Sequence, residues 1–111
     1  MNPRTVAPET TIRTGTLALD LETGVVIADG RRVRLTKKEY CIFELLSMRQ
    51  SVTVSKEILH RHLYGEKDGP RSRIIDVFVC HLRKKLMQAT AGKDYIETIR
   101  GVGYRIRGPS Q

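Results

Sequence analysis

The sequence predicts a single α+β domain with a small N-terminal antiparallel sheet, three helices and a C-terminal β-hairpin. Three observations predict it. Residues 15–36 hold short alternating runs broken by Glu-Thr-Gly and Ala-Asp-Gly. Residues 36–90 repeat apolar side chains at helical spacing in three stretches, and two alternating runs flank Arg-Gly-Val-Gly near the C-terminus. At 111 residues the chain can bury one modest core, and its 40% apolar content predicts a packed fold.

The first residues, MNPRTVAPETT, carry Pro3 and Pro8 and lack the apolar stretch of a secretion signal. Residues 1–13 are therefore expected to be a flexible arm, and 109–111 a short tail, around a domain at 14–108. Turn chemistry then divides three strands near 16–20, 24–28 and 32–35. Leu17, Leu19, Val26 and Leu35 supply their apolar face. A meander this small is not stable alone, so it must pack on the helices.

Thr36 followed by Glu39 is a capping box that opens the first helix. Ile42, Leu45 and Leu46, widened by Tyr40 and Phe43, form its apolar stripe, and it is expected to end near Gln50. Ser-Val-Thr-Val is an extended link able to pair as a strand. Ser55 caps the second helix, with Ile58, Leu59 and Leu63 directed inward and Gly65 ending it. A polar loop follows at 65–70. The third helix, about 71–88, repeats Ile75, Val79, Leu82 and Leu86 as a buried stripe. Turning 100° per residue places Arg73, Val77, His81 and Lys84 opposite that stripe, flanked by Ile74, Phe78 and Lys85. Between 71 and 85 stand five Lys or Arg, one His and a single acid, Asp76. Asp76 and Arg83, seven apart, share a side of the helix and are expected to pair.

In the hairpin, alternation puts Ile99, Tyr104 and Ile106, or their neighbours, on one face and Arg100, Arg105 and Arg107 on the other. Gly101 and Gly103 give a tight turn and a thin tip. They do not make a dinucleotide fingerprint, because a third glycine and a following helix are missing.

The formal net charge is +8 and the pI about 9.9, a balance that favours polyanions. No apolar run is long enough to span a bilayer, so no membrane partner is expected and the location is expected to be cytoplasmic. Cys41 and Cys80 are far apart and expected to stay reduced. His60, His62 and His81 lack metal-ligand spacing, so neither a metal nor another cofactor is expected. No nucleophile–base pair, paired carboxylates or phosphate loop appears, which argues against an enzyme and a small-molecule substrate. The cationic third helix carries apolar Val77 and Phe78 in its exposed face. A major-groove reader needs that mixture, cations for phosphates and apolar groups for thymine methyls. The competing reading tucks Phe78 at the edge of the core. A hairpin beside such a helix can lie over the adjacent backbone, with Arg100 reaching a narrow, negative minor groove.

LTKKEYCIFELL, SKEILHRHLYG, SRIIDVFVCHLRKKL and YIETIRGVGYRIR, in this order and spacing, resemble the winged helix-turn-helix output domain of OmpR/PhoB-type response regulators over residues 14–108. The resemblance implies a four-stranded N-terminal sheet, three helices and a C-terminal hairpin wing. It implies a transcription regulator of two-component, phosphorelay systems that binds double-stranded DNA. The third helix would enter the major groove and the wing, about 100–104, would lie at the minor groove. Carried over by position, the DNA-binding candidates are Arg73, Val77, Phe78, His81, Arg83, Lys84, Lys85, Thr98, Arg100 and Tyr104. Glu66, Lys67 and Asp68 fall where the family contacts RNA polymerase, and relatives sit head-to-tail on direct repeats. His81 stands where relatives often carry Arg or Lys. The family's usual N-terminal receiver domain is not in this sequence; a stand-alone protein of this sequence is expected to lack the usual phosphorylation control, and an excised domain would read the same. A second functional class keeps the fold but docks on RNA polymerase or on a full-length response regulator without binding DNA. Neutralising Arg73, Lys84 and Arg100 separates the two.

Overall fold

The computed structural model describes residues 10–65 and 73–108. Residues 1–9 of the expected arm, the loop residues Glu66, Lys67 and Asp68, and the tail at 109–111 lie outside the described residues. Four strands come first: β1 (Thr11–Thr14), β2 (Leu17–Asp20), β3 (Val26–Ala28) and β4 (Arg31–Val33), paired antiparallel in chain order. β1 corrects the sequence reading, which placed residues 11–13 in the arm. Thr-Ile-Arg-Thr has one apolar residue and therefore no readable alternation. Its pairing is tertiary, with Ile12 opposite Leu19.

Helix α1 (Lys37–Met48) opens on the expected capping box. The Thr36 hydroxyl accepts from the Glu39 N–H, and the Glu39 carboxylate accepts from the Thr36 N–H. The Ser-Val-Thr-Val link supplies a two-residue strand, β5 (Val54–Ser55), and the Ser55 hydroxyl then caps α2 (Lys56–Tyr64) by accepting from the Ile58 N–H. α3 (Ile74–Ala89) begins with Arg73 in the cap position, three residues later than about 71, with 71–72 outside the described residues. β6 (Ile96–Ile99) and β7 (Gly103–Ile106) form the hairpin, and β5 joins it in the order β5-β7-β6.

The predicted stripes meet in one core. Leu17, Leu19, Val26, Ile42, Phe43 and Leu46 are buried with the whole α3 stripe, Ile75, Val79, Leu82 and Leu86. Tyr95, Ile96 and Ile106 close it from the hairpin side. Two assignments of side-chain direction are corrected. Ile58 is 38% exposed, because among the α2 residues only Leu59 is fully covered. Phe78, assigned to the outer face, is half-buried and packed against the core. A ring at the flank of a helical stripe removes more apolar area from water by leaning on it than by standing out.

The two hairpin glycines serve different ends. Val102 N–H donates to the Ile99 carbonyl at 2.9 Å, closing a turn over Arg100 and Gly101, and Gly101 sits at φ +75°. That backbone conformation disfavours a side chain. Gly103 is buried within β7, opposite Ser55 of β5. A β-carbon there would stand 2.0 Å from the Val54 carbonyl oxygen and 2.8 Å from the Ser55 Cα. Gly103 is thus required by the close approach of two backbones, not by the thinness of the tip.

These two origins predict different costs. Gly103→Ala should destabilise by about 3 kcal/mol, since backbone atoms must move to admit the methyl group. Gly101→Ala, strained only in φ, should cost about 1 kcal/mol. Urea unfolding of the two variants measures the gap; equal losses would contradict it.

Candidate nucleic-acid interface

With the apolar stripe of α3 facing the core, the opposite face is left to solvent. Arg73, Val77, His81 and Lys84 are all exposed there, Val77 at 45%. They follow one another at three- and four-residue spacing, so they form one line along the helix. Two of them carry permanent positive charge, one is apolar, and His81 can bond a base edge or, protonated, a phosphate. Each of these four candidates is therefore open to solvent.

The other charged residues of α3, Asp76 and the candidates Arg83 and Lys85, hold the helix in place. Asp76, in its first turn, accepts a hydrogen bond from the Tyr104 hydroxyl on β7. Its other oxygen stands 3.2 Å from Lys56 Nζ at the start of α2. Partial burial pushes the Asp76 carboxyl up; the Tyr104 hydroxyl and Lys56 more than reverse it, leaving the group below the ordinary carboxylate range. Burial and the Asp76 carboxylate push the Tyr104 phenol up to about 12. The Asp76–Arg83 pair expected from the spacing does not form. Arg83 instead donates to the Ile96 carbonyl at 2.8 Å and to the Thr98 hydroxyl at 3.1 Å. Its Nε lies 3.3 Å from the Asp94 carboxylate, without hydrogen-bond alignment. Asp76 already has partners on two other elements, and Arg83 reaches the hairpin more readily than it reaches back along its own helix.

Lys85 is occupied as well. Its ammonium meets the buried Glu39 carboxylate at 2.6 Å, the same oxygen that accepts from the Thr36 N–H. Burial raises the Glu39 carboxyl, and the bonds from Lys85 and Thr36 outweigh it, so the net shift is downward. Adjacent lysines thus differ in kind. Lys84 is exposed without an ion pair among the described residues, whereas Lys85 ties α3 to the cap of α1.

On the hairpin, Arg100 is exposed at the turn, beside exposed Val102. Thr98 is exposed but holds the Arg83 bond. Tyr104, a candidate contact, is 6% exposed and directed at Asp76. Arg105 and Arg107 both pair with Glu97 across the hairpin, at 2.7 and 3.2 Å. The arrangement therefore brings Arg73, Val77, His81, Lys84 and Arg100 to the surface, assigns Arg83 and Tyr104 to joining helix and hairpin, and assigns Lys85 to tying α3 to α1. Sequence reading missed Lys56, Glu39 and Glu97 as partners in these struts. The local signal at Glu39 was its capping box; its lysine lies 46 residues away.

The family described as "Transcriptional regulatory protein, C terminal" matches residues 30–106. The chain is 47% identical over 103 residues to the cell cycle transcriptional regulator CtrA of Caulobacter vibrioides, covering 93% of this chain and 45% of that protein. The chain thus spans about 45% of the length of this relative. Among solved structures, the Klebsiella pneumoniae RstA DNA-binding domain in complex with RstA box matches with a TM-score of 0.75 at 27% identity, covering 87% of this chain and 96% of that one. The response regulator DrrB of Thermotoga maritima, an OmpR/PhoB homolog, matches at TM-score 0.77 and 29% identity, over 89% of this chain and 45% of that one. The fold is that of winged-helix OmpR/PhoB DNA-binding domains, and the proteins of this family are transcription regulators rather than enzymes.

The contrast between neighbouring lysines is directly measurable. Lys85→Met should lower stability at pH 7 by about 2–3 kcal/mol, since it leaves a buried carboxylate without its cation. A carboxyl with a depressed folded pKa contributes stability above its unfolded pKa and loses it as pH falls through the folded value. The Lys85→Met deficit should therefore shrink in acid, while Lys84→Ala should stay within about 0.5 kcal/mol of wild type throughout. Denaturant titrations at pH 7 and in acid test both. An unchanged Lys85→Met protein would remove this strut from the account.

The raised phenol gives a second test. Absorbance at 295 nm should show a tyrosine ionising near pH 12, absent in Tyr104→Phe. Stability held by the neutral phenol is fully present below its unfolded pKa, about 10, and lost as pH rises through the folded value. Loss of a bond to a half-exposed carboxylate should make Tyr104→Phe less stable by about 1–2 kcal/mol at neutral pH.

Proposed function

The chain belongs to the family of C-terminal domains of transcriptional regulatory proteins, and from that premise we propose that it is a sequence-specific, double-stranded DNA-binding transcription regulator. The observation that carries this reading is the exposed line Arg73, Val77, His81 and Lys84 on a helix whose other charged groups, Asp76, Arg83 and Lys85, are bonded to neighbouring elements. α3 enters the major groove, where all four base pairs present different edges. Arg73 and Lys84 meet phosphates, Val77 meets a thymine methyl, and His81 meets a base edge or phosphate. The hairpin turn at 100–102 lies at the minor groove with Arg100 directed into it or against its rim. The RstA domain, solved with its DNA box, supports this use of the fold. Phe78 acts mainly through packing, because it leans on the core. Polymerase contact by Glu66, Lys67 and Asp68, and head-to-tail placement of two copies on direct repeats, rest on resemblance alone.

Selection of bound duplexes from a random pool tests the assignment. His81→Ala or Val77→Ala should change the preferred core bases, by about 1–3 kcal/mol for each directly contacted pair. Arg100→Ala should weaken binding across many sites and relax preference only at flanking A·T-rich positions. Affinity should fall steeply with salt, and Lys84→Ala should reduce the log–log slope by about one. An Arg100→Ala protein with a rewritten core motif, beside unaltered motifs for Val77→Ala and His81→Ala, would overturn the division between helix and wing.

A further inference from the structure

A second cationic surface lies beyond the base-reading part of α3. Strand β4 is an edge strand of the N-terminal sheet, and the C-terminal half of α3 packs beside it. Between them runs a groove of about 470 Å³ whose lining includes Arg31, Arg32, Arg34, Lys85 and Gln88. Lys85 is neutralised by Glu39, but Arg31, Arg32 and Arg34 are exposed and form no ion pair among the described residues. Three guanidinium groups along four residues repel one another, and no acid stands among the described residues that line the groove.

We infer that this groove is a second, sequence-independent contact for the sugar-phosphate backbone of DNA, extending the footprint past the bases read by α3. The inference rests on the DNA-binding reading above. Two observations favour a nucleic-acid backbone over a protein partner. Gln88 is exposed four residues after Lys84, so the groove continues the same helix face only about 6 Å further along the axis. Among the described residues the exposed large apolar side chains are Met48, Val52, Ile58, Val77 and Val102, and none of them lines the groove. A protein partner would normally require apolar or aromatic anchors at the centre of the contact. Phosphates require cations, and arginine offers them a planar fork of donors. The contact adds affinity from flanking DNA and carries no base preference.

The test compares wild type, the triple variant Arg31→Ala/Arg32→Ala/Arg34→Ala, and Lys84→Ala. Each is titrated with a duplex holding only the enriched core site and with the same site extended by about one helical turn on both sides. Wild type should bind the longer duplex more tightly. The triple variant should bind the short duplex like wild type, keep the same selected core, and lose the gain from extension. Its salt slope on the longer duplex should be shallower by nearly three, about 0.9 for each lost phosphate contact. Lys84→Ala should weaken binding to both duplexes and keep the gain. A triple variant with full gain and full slope would overturn the inference. So would one with unchanged DNA binding that had lost affinity for a poly-glutamate peptide, which would give the groove to an acidic protein partner. Failure of wild type to bind either duplex would instead remove the DNA-binding reading on which the inference stands.

Discussion

The geometry of the proposed interface depends on one carboxylate. Asp76 receives the Tyr104 hydroxyl from β7 and the Lys56 ammonium from α2, so a single side chain joins three elements at the start of α3. A helix–turn–helix reader and its wing can address two grooves together only if their relative position is fixed before DNA arrives. Otherwise part of the binding free energy goes into ordering them. Apolar contacts alone permit sliding of a hairpin along a helix. Directional bonds to a carboxylate do not, and Arg83 supplies a second set further along, to Ile96 and Thr98 on β6. Lys85 and Glu39 anchor the far half of the helix to α1.

This scaffold explains how one helix can carry so much positive charge without losing definition. The basic residues of α3 divide into two groups by the direction in which they leave the helix. Arg83 and Lys85 turn toward carboxylates and carbonyls of neighbouring elements, where partial burial strengthens the bonds. Arg73, His81 and Lys84 turn outward with Val77. In the hairpin the same division recurs. Arg105 and Arg107 share Glu97, and Arg100 at the turn remains exposed. Counting cations on a sequence therefore overstates the charge offered to a ligand by the number that are occupied in struts.

Much of the fold was legible because its signals are local. The capping box at Thr36, the Ser55 cap, the Ile75–Val79–Leu82–Leu86 stripe and the alternation of the hairpin each specify an element from a few neighbouring residues. β1 was not legible in its own residues and a fourth strand was implied only by the family resemblance, since Thr-Ile-Arg-Thr becomes a strand by lying opposite β2. The exposed line of the site was legible from helical geometry. The occupied residues were not, because their partners come from distant positions: Asp76 to Tyr104, Arg83 to Ile96, Lys85 to Glu39. Tyr104 is instructive. Alternation had already placed it on the inner face with Ile106, and its burial agrees with that periodicity rather than with its place among the DNA contacts. Gly103 likewise resembled a tip residue in sequence, although its reason is the backbone of β5 across the sheet.

The separation of cations into those that hold the fold and those that meet DNA is the central claim. It is tested most directly by side-chain NMR of the lysine ammonium and arginine guanidinium groups, recorded while a duplex carrying the preferred site is added. Signals of Arg73, Lys84 and Arg100 should shift on binding, while those of Arg83 and Lys85, already bonded within the protein, should stay where they were. Equal movement of Arg83 and Lys85 with Lys84 would contradict the account, since it would mean that the struts open to meet DNA.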